Sequence, residues 1–147
     1  MRAGHRRHRR RTVRPHPARG ARVEYALPAD AASARWARRL TTEFLLSERA
    51  PAGAGHHEDE AELIVSELVT NAVRHGRGRC RLRLTSRRRA LTIEVADDGP
   101  GHPVPRRARA GHEGGRGLML VRHLSRRLRT TRHPHGGKTV RAVLALA

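Results

Sequence analysis

The sequence predicts an α+β domain of two layers, in which a few helices pack on one face of a mixed, mostly antiparallel sheet. Segments with the alternating apolar pattern of strands are interleaved with segments in which apolar residues recur at helical spacing. Short turns join two pairs of the strands, which favours antiparallel pairing. The chain has 147 residues and no internal repeat, so one domain with a single core is expected.

The N-terminal segment differs in composition from the rest of the chain. Residues 1–22 contain nine arginines and no acidic residue, about half of the formal charge of +19. With almost no apolar content, this tail is predicted to be disordered, and the folded domain is predicted over residues 23–147. The tail can contact nucleic acid or an acidic partner electrostatically. A solvated arm and a start codon assigned too early are the alternatives.

Composition also argues against several classes of function. The chain has one Trp, one Tyr and one Phe, so the stacking platforms of single-strand nucleic-acid binders are missing. No apolar run reaches the roughly 18 residues of a membrane span, and the arginine-rich start lacks the apolar segment of a secretory signal. We therefore expect a soluble, cytoplasmic protein with no membrane partner and no nucleic-acid partner beyond tail contacts. Cys80 alternates with Leu82 and Leu84, as a small buried hydrophobe would.

The first half of the domain is predicted to form one strand and two helices. Residues 23–27 alternate as a strand, and the helix after Pro28 is expected to end near Leu46. Its apolar positions recur every four residues: Trp36, Leu40 and Phe44. After a Pro/Gly-containing loop, the acids of "EDEAEL" mark the first turn of the second helix. The apolar stripe of that helix contains Ile64, Val65, Leu68 and Ala72.

The second half is predicted to form two strand pairs around a third helix. The strands "CRLRLT" and "LTIEVAD" are joined by a turn at residues 86–89. An irregular stretch, "DGPGHPVPRRARAGHEGGRG", follows, and a loop of that length in a compact domain is usually functional or disordered. Helical spacing then links Leu118, Val121, Leu124 and Leu128. The last two strands, residues 129–133 and 138–146, flank the turn "PHGG".

The second helix contains a line of polar residues beside its apolar stripe, in the segment "SELVTNAVRHG". Glu67 and Asn71 are one turn apart and project toward the same volume. An amide oxygen is a neutral ligand suited to Mg²⁺, and a glutamate can accept a proton from a hydroxyl that attacks a phosphate. A solvated helix edge is the alternative, and His75 with Gly76 can simply end the helix.

Two glycine-containing segments suggest ligand contacts. In "VADDGPG", Asp97 at a strand end can accept a hydrogen bond from the amino group of adenine, and a plain Asp-Gly turn is the alternative. In "EGGRGL", glycines ahead of a helix would expose backbone N–H groups to phosphate, and a flexible helix start is the alternative. The Walker pattern and a strand-linked GxGxxG are both missing.

Taken in order, these motifs resemble the GHKL ATPase superfamily, which includes the nucleotide domains of gyrase, chaperones and histidine kinases. The resemblance covers residues 25–147 and implies the Bergerat fold of that superfamily. Within it, "SELVTNAVRHG", "DDGPG" and "GGRGLMLV" are most similar to the bacterial anti-sigma-factor serine/threonine kinases.

The resemblance assigns a role to each motif residue. It implies Glu67 as general base, Asn71 as ligand of Mg²⁺ and Asp97 as acceptor for adenine. The other implied ATP contacts are His75, Gly99, Gly101, Gly115, Arg116, Gly117, Leu118 and Thr139. Residues 102–114 would form a lid.

The implied activity is that of an Mg-ATP-dependent protein kinase that acts on a serine. Its implied partners are a sigma factor, which it sequesters, and an anti-sigma-factor antagonist, which it phosphorylates. A homodimer is expected by analogy only. A noncatalytic module that binds ATP, or that only sequesters a partner, is the alternative. Six loop histidines without metal-ligand spacing are interpreted as surface residues: His56, His57, His102, His112, His133 and His135.

Overall fold

The structure is a computed structural model that describes residues 20–75, 78–99 and 113–146, with the backbone alone for residues 113–116. In chain order, its elements are β1 (Ala21–Leu27), α1 (Ser33–Leu46), a short 3₁₀ turn (Ala54–His57), α2 (Glu58–His75), β2 (Cys80–Arg87), β3 (Ala90–Asp97), α3 (Glu113–Leu124), β4 (Arg127–Arg132) and β5 (Lys138–Ala145).

The five strands form one sheet in the order β1-β2-β3-β5-β4, and the four pairings are antiparallel. Helix α2 packs against α1 and α3 and lies on β2, β3 and β5. This arrangement confirms the predicted α+β class with helices on the sheet, although the described strands are antiparallel throughout rather than mixed.

The core lies between α2 and the sheet face that it covers. The apolar stripe of α2 is at most 3 % exposed, as its spacing predicts. Facing it are the inward residues of the central strands, among them Leu82, Leu84, Leu91 and Ile93, each 0 % exposed. Burial of one such side chain stabilises a fold by about 1.5–3 kcal/mol, so this layer holds α2 firmly on the sheet. Cys80 is buried, as predicted.

Helix α1 buries one of its two aromatic residues and leaves the other, its tryptophan, exposed. Trp36 is 42 % exposed and has the Arg39 guanidinium 5.9 Å from its ring centroid. The buried face contains Ala37, Thr41 and Phe44. Thr41 can be buried because its hydroxyl donates a hydrogen bond to the Ala37 carbonyl at 2.7 Å. Phe44 of the predicted stripe is therefore buried as its spacing predicts, and Trp36 is the residue that departs from the stripe.

Three element boundaries also differ from prediction. Leu128 belongs to β4 rather than to α3, because the chain turns away when the Arg126 N–H bonds the Val143 carbonyl at 2.7 Å. The β2–β3 turn is narrower than predicted, since Arg88 and Arg89 alone occupy it, with φ of 48° and 56°. Strand β1 begins at Ala21, two residues before the predicted domain boundary.

Within the three described ranges, no helix combines the length and the hydropathy that crossing a membrane requires. The cytoplasmic location remains a prediction.

Candidate functional site

A buried ion pair lies where β3 ends and β5 begins. Asp97 is the last residue of β3 and is directly opposite Lys138 in the β3–β5 register. The Lys138 ammonium is 3.4 Å from Asp97 Oδ2, and the two side chains are 7 % and 2 % exposed. Neither charge could be buried alone without a large desolvation cost. The pair therefore neutralises this end of the sheet.

The other carboxylate oxygen of Asp97 is held by the loop that follows β3. Gly99, also buried, donates its backbone N–H to Asp97 Oδ1 at 2.9 Å. This bond folds the chain back over the aspartate two residues after the strand, as in an Asx turn. The carboxylate is thus held from two sides, and its orientation is determined before any ligand arrives.

Gly137 allows the β4–β5 turn to approach this strand end. Its φ is 88°, and a Cβ atom there would overlap the Asp97 carbonyl oxygen and crowd the Asp98 Cα. Only glycine combines this backbone conformation with such a close approach. Gly137 and Lys138 were missed in the sequence prediction. No local motif marks Lys138, because only the β3–β5 register shows that it shares a sheet face with Asp97.

Thr139 lies on the opposite face of the sheet from Lys138, since successive side chains alternate along β5. It pairs with Ala96 of β3, and its hydroxyl is 2.8 Å from His133 Nε2. The structure therefore does not bring Thr139 to the Asp97 cluster. Its predicted adenine contact remains a prediction without this support.

Cys80 borders the same buried end. It is the first residue of β2. Because Arg81 pairs with Ala96, the next position of the β2–β3 register brings Cys80 opposite Asp97. Burial raises the pKa of the Cys80 thiol to about 11, and the Asp97 charge adds to that rise. The thiol is therefore neutral at physiological pH and packs as an apolar side chain beside Asp97.

A second cluster forms where α2 meets α3. Glu67 and Asn71 are both partly buried on α2, one turn apart as predicted, and His75 is exposed as the last residue of the helix. Gly117 of α3 lies directly against Glu67, because a Cβ atom at that glycine would overlap the carboxylate. The fold thus brings together two predicted site residues that are fifty positions apart in the sequence.

The glycines of "EGGRGL" lie inside α3 rather than ahead of it, because the helix begins at Glu113. That corrects the predicted helix start. Glycine is a poor helix former, by about 1 kcal/mol relative to alanine, which explains why the sequence pointed to a loop. The first four N–H groups of any helix remain without intrahelical partners, so α3 still offers backbone donors at residues 113–116. Leu118 is partly buried against the core.

Several predicted residues lie outside the described structure. These are Gly76, Gly101, residues 102–112 of the lid, and the side chain of Arg116. Gly115 is described as helical backbone only. Their roles remain predictions.

The donor set fits a nucleotide better than a metal cage. In the described parts of the chain, no three His, Cys, Asp or Glu side chains are placed to hold a metal ion. Asn71 supplies one neutral oxygen, and Mg²⁺ bound with a nucleotide commonly takes its other ligands from phosphates and water. Asp97 supplies a buried acceptor, and α3 supplies N–H donors. These are the groups that a base and a phosphate chain require.

A surface cleft of about 400 Å³ lies elsewhere, at the far ends of β1 and β2. It is open and lined by residues such as Arg49, Pro51 and Arg88. None of the predicted site residues lines it, so we assign the site to the two clusters above.

A family model, the histidine kinase-like ATPase domain, matches residues 27–144. The chain belongs to this family. The matched range contains both clusters described above, and the predicted GHKL membership is confirmed at the level of the superfamily. The matched residues are therefore a histidine kinase-like ATPase domain.

Among solved structures, the chain is similar to the histidine kinase domain of the E. coli osmosensor EnvZ, determined by NMR. The identity is 24 %, the TM-score is 0.47, and the match covers 62 % of this chain and 66 % of that one. The chain thus spans slightly less than two thirds of that domain. Comparison with curated protein sequences finds no significant match.

Proposed function

We propose that this chain is an Mg-ATP-dependent serine/threonine protein kinase that binds a sigma factor and phosphorylates a serine on an anti-sigma-factor antagonist. The observation that supports it best is the contact between Glu67 and Gly117. That contact places a carboxylate beside the start of a helix whose free N–H groups suit phosphate. An acid beside a phosphate site is the arrangement that transfer of a phosphoryl group to a hydroxyl requires.

At the other end, Asp97 would accept a hydrogen bond from the adenine amino group. An ionised carboxylate can only accept, and its two oxygens retain lone pairs beside the hydrogen bond from Gly99 and the ion pair with Lys138. Guanine has a carbonyl oxygen at the corresponding position, which would repel the carboxylate. Asp97 would therefore select ATP over GTP.

At the phosphate end, three parts of this chain would act. The N–H groups and the dipole of α3 would hold the phosphates, and Asn71 would hold Mg²⁺ through its amide oxygen. When bound, the metal supplies charge neutralisation at the phosphates. Glu67 would orient the serine hydroxyl of the antagonist and accept its proton at the carboxylate.

A calorimetric titration with ATP and Mg²⁺ tests the nucleotide site. We expect saturable binding that weakens about tenfold in Asn71→Ala, which removes one metal ligand, and little change in Thr70→Ala, one position away on the same helix. If both variants bind ATP as tightly as the wild-type protein, Asn71 is not a ligand. If the folded wild-type protein does not bind ATP, the proposed function is wrong.

A noncatalytic module that binds ATP or sequesters a partner remains the second candidate. One observation favours it: the buried carboxylate that is held from two sides is Asp97, which would bind the base and take no part in phosphoryl transfer. Phosphotransfer from labelled ATP to candidate antagonists separates the two. Transfer that Glu67→Ala abolishes, with ATP binding retained, supports the kinase. Tight ATP binding without transfer to any antagonist supports the module.

Partner binding and assembly are proposals of the same kind. We expect sigma-factor binding to survive deletion of residues 1–19, which precede the described part of the chain.

Light scattering of the purified chain would test the expected homodimer. If deleting the tail abolishes a steeply salt-dependent association with nucleic acid, the arginines there would have a binding role that we do not assign to them.

A further inference from the structure

Lys138 is the only lysine in a chain whose other basic residues, apart from histidines, are all arginine. It is also 5 % exposed as a whole residue, whereas arginines elsewhere in the sheet, such as Arg81, Arg127 and Arg129, are exposed. A buried ammonium is costly unless it is paired and hydrogen bonded. The position of this one lysine, beside the carboxylate that we assign to adenine, therefore calls for an explanation.

Lys138 and Asp97 can form more hydrogen bonds than their contact with each other requires. An ammonium has three N–H donors, and the ion pair with Asp97 Oδ2 at 3.4 Å can occupy one of them. Asp97 accepts from the Gly99 N–H through its other oxygen. The pair therefore presents a hydrogen-bond donor next to an acceptor at one strand end, and both groups are almost fully shielded from solvent.

We infer that Lys138 Nζ donates a hydrogen bond to ring nitrogen N1 of the adenine whose 6-amino group is accepted by Asp97. The inference rests on the proposed function and adds a second specificity-determining residue to the base end. Lys138 then has two roles: it neutralises the charge of Asp97, and it recognises adenine N1, the ring nitrogen adjacent to the amino group.

The two base edges explain why a donor and an acceptor are needed together. Adenine presents a donor, its 6-amino group, next to an acceptor, N1. Guanine presents the opposite order at the same two positions, a carbonyl oxygen next to an N–H. Guanine placed in the same way would face Asp97 with an acceptor and Lys138 with a donor, so both contacts would become repulsive.

A purely structural role for Lys138 makes a different prediction. If the lysine only balances the charge of Asp97, the protein does not sense the chemical nature of position 1 of the base. If it donates to N1, replacing that nitrogen with C–H removes one charge-assisted hydrogen bond and leaves the rest of the ligand unchanged.

The test is calorimetric titration of the full chain with ATP and with 1-deaza-ATP in Mg²⁺. For the wild-type protein we expect ATP to bind at least about tenfold more tightly, as for loss of a hydrogen bond to a charged group. In Lys138→Met, the two ligands should bind with nearly equal affinity. The control ligand, 7-deaza-ATP, changes a different ring nitrogen and should show the same ratio to ATP in both proteins.

Two results would overturn the inference: equal binding of ATP and 1-deaza-ATP by the wild-type protein, or an unchanged preference in Lys138→Met. The single variant Lys138→Met leaves the Asp97 charge buried without its partner. The double variant Asp97→Asn with Lys138→Met removes both charges and is therefore a second test. It should also lose the preference for ATP over 1-deaza-ATP. If ATP does not bind to the wild-type protein at all, the proposed function fails and this inference fails with it. ATP binding that ignores N1 overturns the inference alone.

Discussion

The two ends of the candidate site are built in different ways. At the proposed base end, Asp97 is placed by strand register, paired with Lys138 and held by the Gly99 N–H, and its side chain is 2 % exposed. At the proposed phosphate end, Glu67 and Asn71 lie partly buried on a helix, and Glu67 packs against the backbone of Gly117. One end is set by the sheet, and the other by a contact between two helices.

This difference indicates a division of labour. A dry carboxylate with fixed partners is preorganised, which suits discrimination between bases that differ by one donor. A partly exposed carboxylate beside a helix start can meet a hydroxyl brought by another protein. We therefore expect changes at the base end to alter affinity and nucleotide choice, and changes at the helix end to alter turnover.

The largest expected effect is on turnover, from Glu67→Gln. The amide keeps the shape of the side chain but cannot accept the hydroxyl proton, so phosphotransfer should fall by roughly 10²–10⁴-fold. The dissociation constant for ATP should change by less than about threefold. Single-turnover assays beside calorimetry measure both, and Glu60→Gln on the same helix is the control. A parallel loss of binding and turnover would place Glu67 in the fold rather than in the chemistry.

The next effect is on stability, from Gly137→Ala. The new Cβ must displace the Asp97 backbone, in addition to the strain of a φ of 88°. Gly136→Ala is a matched control, because its φ of 97° imposes similar strain while its Cβ would meet nothing within 4 Å. We expect a loss of about 2–3 kcal/mol at Gly137 and about 1 kcal/mol at Gly136, measured by urea unfolding. Equal losses of unfolding free energy in the two variants would mean that the close packing of Gly137 against the Asp97 backbone does not affect stability.

A somewhat smaller effect concerns pH. The pKa of Cys80 is raised from the ordinary thiol value of 9.0 to about 11 in the folded protein, chiefly by burial. Because the folded state holds this proton more tightly, its stabilising contribution is complete below pH 9 and is lost as the pH rises toward 11. We expect a loss of about 2 kcal/mol by about pH 11 that Cys80→Ala does not show, seen as a difference in urea midpoints. Identical pH profiles would contradict the burial assignment.

The smallest effect tests the contact between the helices. Gly117→Ala should raise helix stability by about 1 kcal/mol, but the new Cβ must overlap the Glu67 carboxylate. In the wild-type background the two effects oppose each other, whereas in the Glu67→Ala background the gain should appear in full. A double-mutant cycle of unfolding free energies measures the difference. The same result in both backgrounds would show that Glu67 and Gly117 do not interact.

Much of the fold followed from periodicity alone. The stripe of Ile64, Leu68 and Ala72 identified the buried face of α2, and the alternating runs identified β2 and β3. These segments were predictable because one face of each is buried against the same core, so period and burial agree. In α1 they disagree: Trp36 has the spacing of a core residue, but Ala37 lies against α2 at no exposure and the indole is left outside.

The candidate site was predictable where it is local and not where it depends on distant pairing. Glu67 and Asn71 belong to one helix, and Asp97 ends one strand, so the sequence motifs locate them. Lys138 was overlooked in favour of Thr139 because the face that each residue occupies depends on the register between β3 and β5. A shift of one residue exchanges the two faces of a strand, and no local motif reports that shift.

The central claim is that Asp97 is the base acceptor of an ATP site. Calorimetric titration of the full chain with ATP and with GTP in Mg²⁺, for the wild-type protein and Asp97→Asn, tests it most directly. We predict saturable, ATP-selective binding by the wild-type protein, with affinity at least about tenfold lower and a smaller preference over GTP in the variant. A folded Asp97→Asn protein that binds ATP and GTP as the wild-type protein does would contradict the claim.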